Sequence, residues 1–194
     1  RSMRHVLTSI CFGLLAALPA GADHAVDLVG AELLGQADLA RQSAGEAVLK
    51  QDYMVVIDYR LPSSSARFFL VDLQDRTAEA FLVAHGKGSD PDFDGMAQHF
   101  SNIPNSKMTS LGRFVTGETY YGRHGLSLRM HGLDPSNDKA EARAIVIHGA
   151  DYVAPGRAVL GRSWGCPALE RRVAEKLIPD IASGVFIYAV GPAA

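Results

Sequence analysis

Short runs of β-branched and aromatic residues, each closed off by turn-forming residues, constrain this chain more than any other feature. Met54-Val55-Val56-Ile57-Asp58-Tyr59, Phe68-Phe69-Leu70-Val71-Asp72-Leu73 and Ala80-Phe81-Leu82-Val83-Ala84 follow one another closely, with Pro62-Ser63-Ser64-Ser65 between the first two. Such side chains fit a pleated surface, and the runs are too short for helices of ordinary length. Further strands are expected over 113–119, 126–130, 144–147 and 185–190. Ala144-Ile145-Val146-Ile147 is apolar throughout, as a central strand buried on both faces requires, and His148 stands at its end.

Helical spacing occurs twice. Val26, Val29, Leu33, Ala37, Ala40, Ala44 and Val48 repeat at a helical period. Gly30, Gly35 and Gly45 interrupt them, each costing about 1 kcal/mol relative to Ala inside a helix. One or two short helices are therefore expected as a lead-in over 23–52. In the second half Leu169, Val173, Leu177 and Ile181 are spaced by four, with Gly184 placed to cap the end. The expected fold is α+β and mainly β: a sandwich or partly closed barrel over 53–194, with a short N-terminal helical segment and one helix in the C-terminal half.

The first residues read differently. Arg4 and His5 precede the apolar run Val6 to Leu18, and Pro19-Ala20-Gly21-Ala22 follows with small residues at the cleavage spacing. That pattern predicts a secretory signal over 1–22, hence export to the periplasm or cell envelope. The run is shorter than the roughly 18–20 apolar residues that span a bilayer, so no stable membrane insertion is expected after cleavage. A buried helix or an uncleaved anchor is the alternative. Cleavage would remove Cys11 and leave Cys166 as the single cysteine, unable to form an internal disulfide. A formal net charge of −2 supplies no electrostatic footprint for nucleic acid.

An unpaired thiol in an oxidising compartment is a liability unless it is buried or used. Cys166 sits in Gly161-Arg162-Ser163-Trp164-Gly165-Cys166-Pro167, away from any apolar run. Gly165 permits a sharp turn or a close approach, and Pro167 suits the entrance to a helix. A helix starting near Leu169 would place its positive end beside the sulfur, lowering the thiol pKa and offering amides to an oxyanion. A thiol at neutral pH needs a base. His85, His131 and His148 each precede Gly at the end of an apolar or alternating stretch. His148 follows the most buried-looking strand, a rigid mount, and the loop 149–162 with Pro155-Gly156 can fold back toward it.

His148, fourteen intervening residues, and Ser163-Trp164-Gly165-Cys166 together resemble the active-site signature of the L,D-transpeptidases of the YkuD type. Thr109-Ser110-Leu111-Gly112-Arg113-Phe114 resembles that family's Thr-Pro-x-Gly-x-Phe segment. Val83-Ala84-His85-Gly86, Phe100-Ser101-Asn102, Gly117-Glu118-Thr119-Tyr120-Tyr121-Gly122 and Arg143 to Tyr152 resemble its murein L,D-transpeptidase branch. The resemblance implies Cys166 as nucleophile, His148 as general base and acid, and peptidoglycan stem peptides as substrate, with no metal or cofactor. It further implies that the Gly149 carbonyl orients the imidazole. Ser163 is expected to support the thiol or the loop, and the Cys166 amide with that of Trp164 or Gly165 to hold the oxyanion. His131, Tyr121 and Arg162 are candidates for the donor groove. Trp164 stands where the family often has His, and Ala168 where it often has Arg or Asn; Trp164 is expected either over the site or as a core anchor.

Three other readings remain at this point. Water in place of an acceptor amine makes the enzyme an L,D-carboxypeptidase. A non-catalytic wall-binding module is possible on the same fold. A metal site built from His85, His131, His148 and Cys166 lacks the close ligand spacing such sites show.

Overall fold

The apolar runs of the middle of the chain are strands, and they close on one another. The computed structural model describes residues 24–193; the expected signal over 1–22 lies outside them. The strands are β1 (Tyr53–Asp58), β2 (Ala66–Asp72), β3 (Thr77–Ala84), β4 (Gly112–Gly122), β5 (Gly125–Gly132), β6 (Val146–Ala150), β7 (Ala168–Glu170) and β8 (Phe186–Val190). They form a closed barrel in the order β1-β2-β3-β7-β6-β5-β4-β8, sealed by the parallel pairing of β1 with β8. The fold is thus mainly β, and the barrel is fully closed rather than partly so.

Alternation along β1 explains why it is apolar on both faces. Val55 and Ile57 point into the barrel with Phe68, Leu70, Val83, Phe114, Leu128, Ile147 and Ile187. Met54 and Val56 point outward with Phe69, Val71 and Phe186, where water would otherwise reach them. The lead-in covers that face. Helices α1 (His24–Val29) and α2 (Ala31–Ala44) lay Ala25, Val29, Leu33 and Ala37 over it. Burying a side chain the size of Val29 or Leu33 stabilises by roughly 1.5–3 kcal/mol. Gly30, with φ 89°, separates the two helices, and Gly45 ends the second.

The C-terminal-half helix α3 (Arg171–Ile181) buries Ala174, Leu177, Ile178 and Ile181 against the barrel core. Two expectations need correcting. Leu169 belongs to β7, where it pairs with Val83 on one side and Gly149 on the other, so its backbone is committed to a ladder. Its four-residue spacing from Val173 reflects burial in the same core, not a shared helix. Gly184 does not cap α3, whose C-cap is Ala182; it turns the chain at φ 106° and donates its N–H to the Thr116 carbonyl. Among the described residues no helix is long and apolar enough to cross a membrane.

Candidate active site

The parallel pair β6–β7 organises the site. His148 stands opposite Ala168, so the chain two residues earlier on each side brings Val146 and Cys166 together. The Val146 amide lies close enough to the Cys166 sulfur to favour its ionised form. Same-face neighbours on a strand lie about 6.6 Å apart, which puts the His148 side chain on the face of β6 that Cys166 meets. Thiol and imidazole line one cavity of about 390 Å³, together with Tyr120, Arg123, His124, Arg143, Ala144, Val146, Tyr152, Arg162, Ser163 and Trp164. His148 lies within β6, two residues before its end.

The two reacting candidates are held in neutral states. The Cys166 thiol donates to the Ala144 carbonyl at 3.7 Å. Burial pushes it above its ordinary value; the Val146 amide and the Arg143 charge oppose that shift. This differs from the expectation of a thiol activated by a helix end. Ala168–Glu170 runs as a strand between Cys166 and the first turn of α3, so no helix begins at the sulfur. His148 is 2% exposed, and burial holds its pKa below 6.5. Its Nδ1 lies 3.0 Å from the Gly149 carbonyl. A carbonyl only accepts, so Nδ1 carries the proton and Nε2 keeps its lone pair. Among the described residues Nε2 has no hydrogen-bond partner.

The loop before Cys166 is wired in place. Ser163 Oγ donates to the Cys166 carbonyl at 2.6 Å and accepts the Gly165 amide at 3.1 Å. Ser163 N–H donates to the His85 carbonyl, and the Ser163 carbonyl accepts from Lys87. Gly165 adopts φ 122°, and a Cβ there would stand 2.7 Å from the Met108 carbonyl; only glycine fits. With the Gly165 amide taken by Ser163, those of Trp164 and Cys166 remain for an incoming oxyanion. Arg143 braces the facing loop by donating to the carbonyls of Ser101 and Met108. Gly149 lets α3 pack directly onto β6, where a Cβ would meet Arg171 Cα at 2.9 Å.

Arg162 lines the cavity, donating to the Asp90 carbonyl with its guanidinium 4.4 Å from the Phe93 ring centroid. Trp164 lines it too, 69% exposed, which rules out the core-anchor role. Tyr121 does not; it is 84% exposed, and its neighbour Tyr120 lines the cavity instead, as strand alternation requires. Nor is His131 among the lining residues. It packs on Gly117 and pairs with Glu141 at 3.3 Å.

His124 was not foreseen. It sits at the β4–β5 turn and stacks on His148, with ring centroids 4.2 Å apart and planes 24° from parallel. In the sequence only the glycines flanking it, Gly122 and Gly125, hint at a turn there. His85 lies elsewhere, fully buried between Arg67 at 2.8 Å and Asp90 at 3.2 Å. Among the described residues no group of three metal-capable side chains comes together.

The fold and cavity define a mainly β domain that presents a thiol and a neutral imidazole on one wall. The chain belongs to the L,D-transpeptidase catalytic domain family, whose model matches residues 29–190. No curated protein matches the sequence significantly. Similar solved structures include an L,D-transpeptidase from Mycobacterium tuberculosis H37Rv, with 14% identity and TM-score 0.47 over 72% of this chain and 57% of that one. L,D-transpeptidase 3 from Mycobacterium tuberculosis is 12% identical, with TM-score 0.47 over 72% of this chain and 61% of that one. The chain therefore spans less than two thirds of their length.

Proposed function

We propose that the protein is an exported murein L,D-transpeptidase that acts on peptidoglycan stem peptides through a Cys166 thioester. One observation carries the reading. Cys166 and His148 line the same cavity, and the Gly149 carbonyl fixes the imidazole tautomer that can accept a proton at Nε2. Membership of the family supports the stem peptide as substrate.

The resting pair is thiol and imidazole, so attack requires a proton transfer. As Sγ bonds to the carbonyl carbon of the third stem residue, its proton passes to His148 Nε2. The carbonyl becomes an oxyanion held by the Trp164 and Cys166 amides. Collapse breaks the C–N bond, and the imidazolium gives its proton to the departing amine of D-alanine. The acyl group is now a thioester. An amine of a second stem attacks it, His148 takes that amine's proton, and the C–S bond breaks to return the thiol and a cross-link. Water at the same step gives an L,D-carboxypeptidase through the same residues. A purely wall-binding module has no use for a paired thiol and base.

Mass spectrometry of tetrapeptide muropeptides incubated with the full chain tests this. D-alanine release and cross-linked dimers are expected from the wild type, and neither from Cys166→Ala. Identical products from both proteins would overturn the reading; release without dimers would assign the carboxypeptidase.

A further inference from the structure

The cavity that holds Cys166 and His148 has a neighbour. A second cavity of about 230 Å³, lined by Pro104, Asn105, Lys107 and Ala142, shares Arg143, Ala144 and Trp164 with it. Charge is distributed over the two in a one-sided way. Lys107 and Arg143 line the smaller cavity, and Arg123, Arg143 and Arg162 the larger. No Asp or Glu lines either one, although the chain carries 21 acids against 19 Lys and Arg. The sign at the site is therefore opposite to that of the chain as a whole.

The nearby carboxylates are committed elsewhere. Asp151 pairs with Arg171, Glu118 with Arg129, Glu141 with His131 and Asp90 with His85. The cations differ in what remains available. Arg143 spends its donors on the loop at 101–110, and Arg162 donates to the Asp90 carbonyl. Lys107 and Arg123 are exposed and form no ion pair among the described residues; Lys107 Nζ rests 4.9 Å from the Trp164 ring centroid. The smaller cavity thus presents one cation without an ion pair, Lys107, beside the fixed Arg143, and the larger presents Arg123 beside the fixed Arg143 and Arg162. In a cleft, unpaired charge of one sign concentrates the field and selects ligands of the other.

We infer that the paired cavities read their peptide through free carboxylates, Lys107 taking one group and Arg123 another, so that a stem with free acidic groups is preferred to the same stem amidated. This names a specificity for the proposed stem-peptide substrate and rests on that reading. Amidation keeps the shape and replaces a charge by a neutral dipole, so the preference is electrostatic and weakens with salt.

Calorimetric titration of the full-length Cys166→Ala protein with a tetrapeptide stem in free-acid and amidated forms separates the possibilities. The free acid is expected to bind roughly fivefold tighter for each carboxylate, the size of one solvent-accessible ion pair. Lys107→Met and Arg123→Gln, made in the same background, should each remove part of that preference, weakening the free-acid stem more than the amidated one. Equal affinity for both stems, or variants that weaken both stems alike, overturns the inference. Wild-type turnover in parallel keeps the two readings apart. Equal binding with D-alanine release removes only the charge specificity, whereas a charge preference without release removes only the transpeptidase.

Discussion

His85 and His148 are alike in sequence and placement, yet the molecule uses their rings in opposite ways. Each precedes a glycine, each is at most 2% exposed, and burial holds each below its ordinary pKa, His85 at about 4. At His85 both nitrogens are used: Arg67 donates into Nδ1, and Nε2–H donates to Asp90. At His148 the proton sits on the other nitrogen, bound to the Gly149 carbonyl, and the remaining lone pair faces a cavity. Burial and neutrality are common to a structural histidine and a base. What separates them is whether one nitrogen is left without a protein partner.

The comparison breaks first on activity. Cys166→Ala and His148→Gln should lower D-alanine release by at least about 10³-fold with little change in melting temperature. An equal loss from His85→Gln in a protein that remains folded would erase the distinction. On stability the ranking reverses. Asp90→Ala leaves His85 Nε2–H without an acceptor and the buried Arg67 without a nearby negative charge, and urea unfolding should show a loss of about 3 kcal/mol. His148→Gln, beside a cavity, should cost clearly less by the same measurement.

Acid sharpens the contrast. Unfolded His85 takes up a proton near pH 6.5, whereas the folded ring resists until about 4. Folding stability contributed by this residue is therefore whole above 6.5 and declines as pH falls toward 4, by about 3 kcal/mol in total. His148 adds a loss of the same sign. The acid limb of kcat/KM should fall below pH 6.5, because the base must be neutral and burial favours that form. A limb above 6.5 in a pH–rate profile would contradict the buried imidazole. The smallest effect concerns the stacked ring. His124→Ala should lower kcat/KM by about tenfold through a less ordered imidazole, and His124→Phe, which keeps the stack, by less. His124 is one of the groups that hold the His148 pKa down, so His148 should titrate at higher pH in both variants, read by nuclear magnetic resonance of the labelled imidazole.

The strands were legible because their side chains are apolar on faces that are buried. β1 and β2 declared themselves through Val55, Ile57, Phe68 and Leu70. Barrel closure was not legible: it depends on β7, three residues long, which no run of residues announces. Leu169 fitted a helical period because core positions of a strand and of the helix after it fall four apart by coincidence. At the site, Cys166 and His148 stood out by residue type and setting. Tyr120 was missed in favour of Tyr121 because alternation depends on a register that pairing sets. His124 and Arg143 were invisible as site residues, since they reach the cavity from a turn and a loop that only the tertiary fold brings there.

Closure of the barrel also limits how a peptide can be held. Many proteins grip an extended peptide by adding it as one more strand along an open sheet edge, where main-chain bonds accept almost any sequence. Here every strand already has a neighbour on both sides, down to β7 wedged between β3 and β6. Along β1 and β8, paired on both sides, a guest chain finds no edge to zip onto. Recognition at the cavity falls instead to side chains and loop amides, whose spacing and charge, rather than a continuous main-chain ladder, decide what is held.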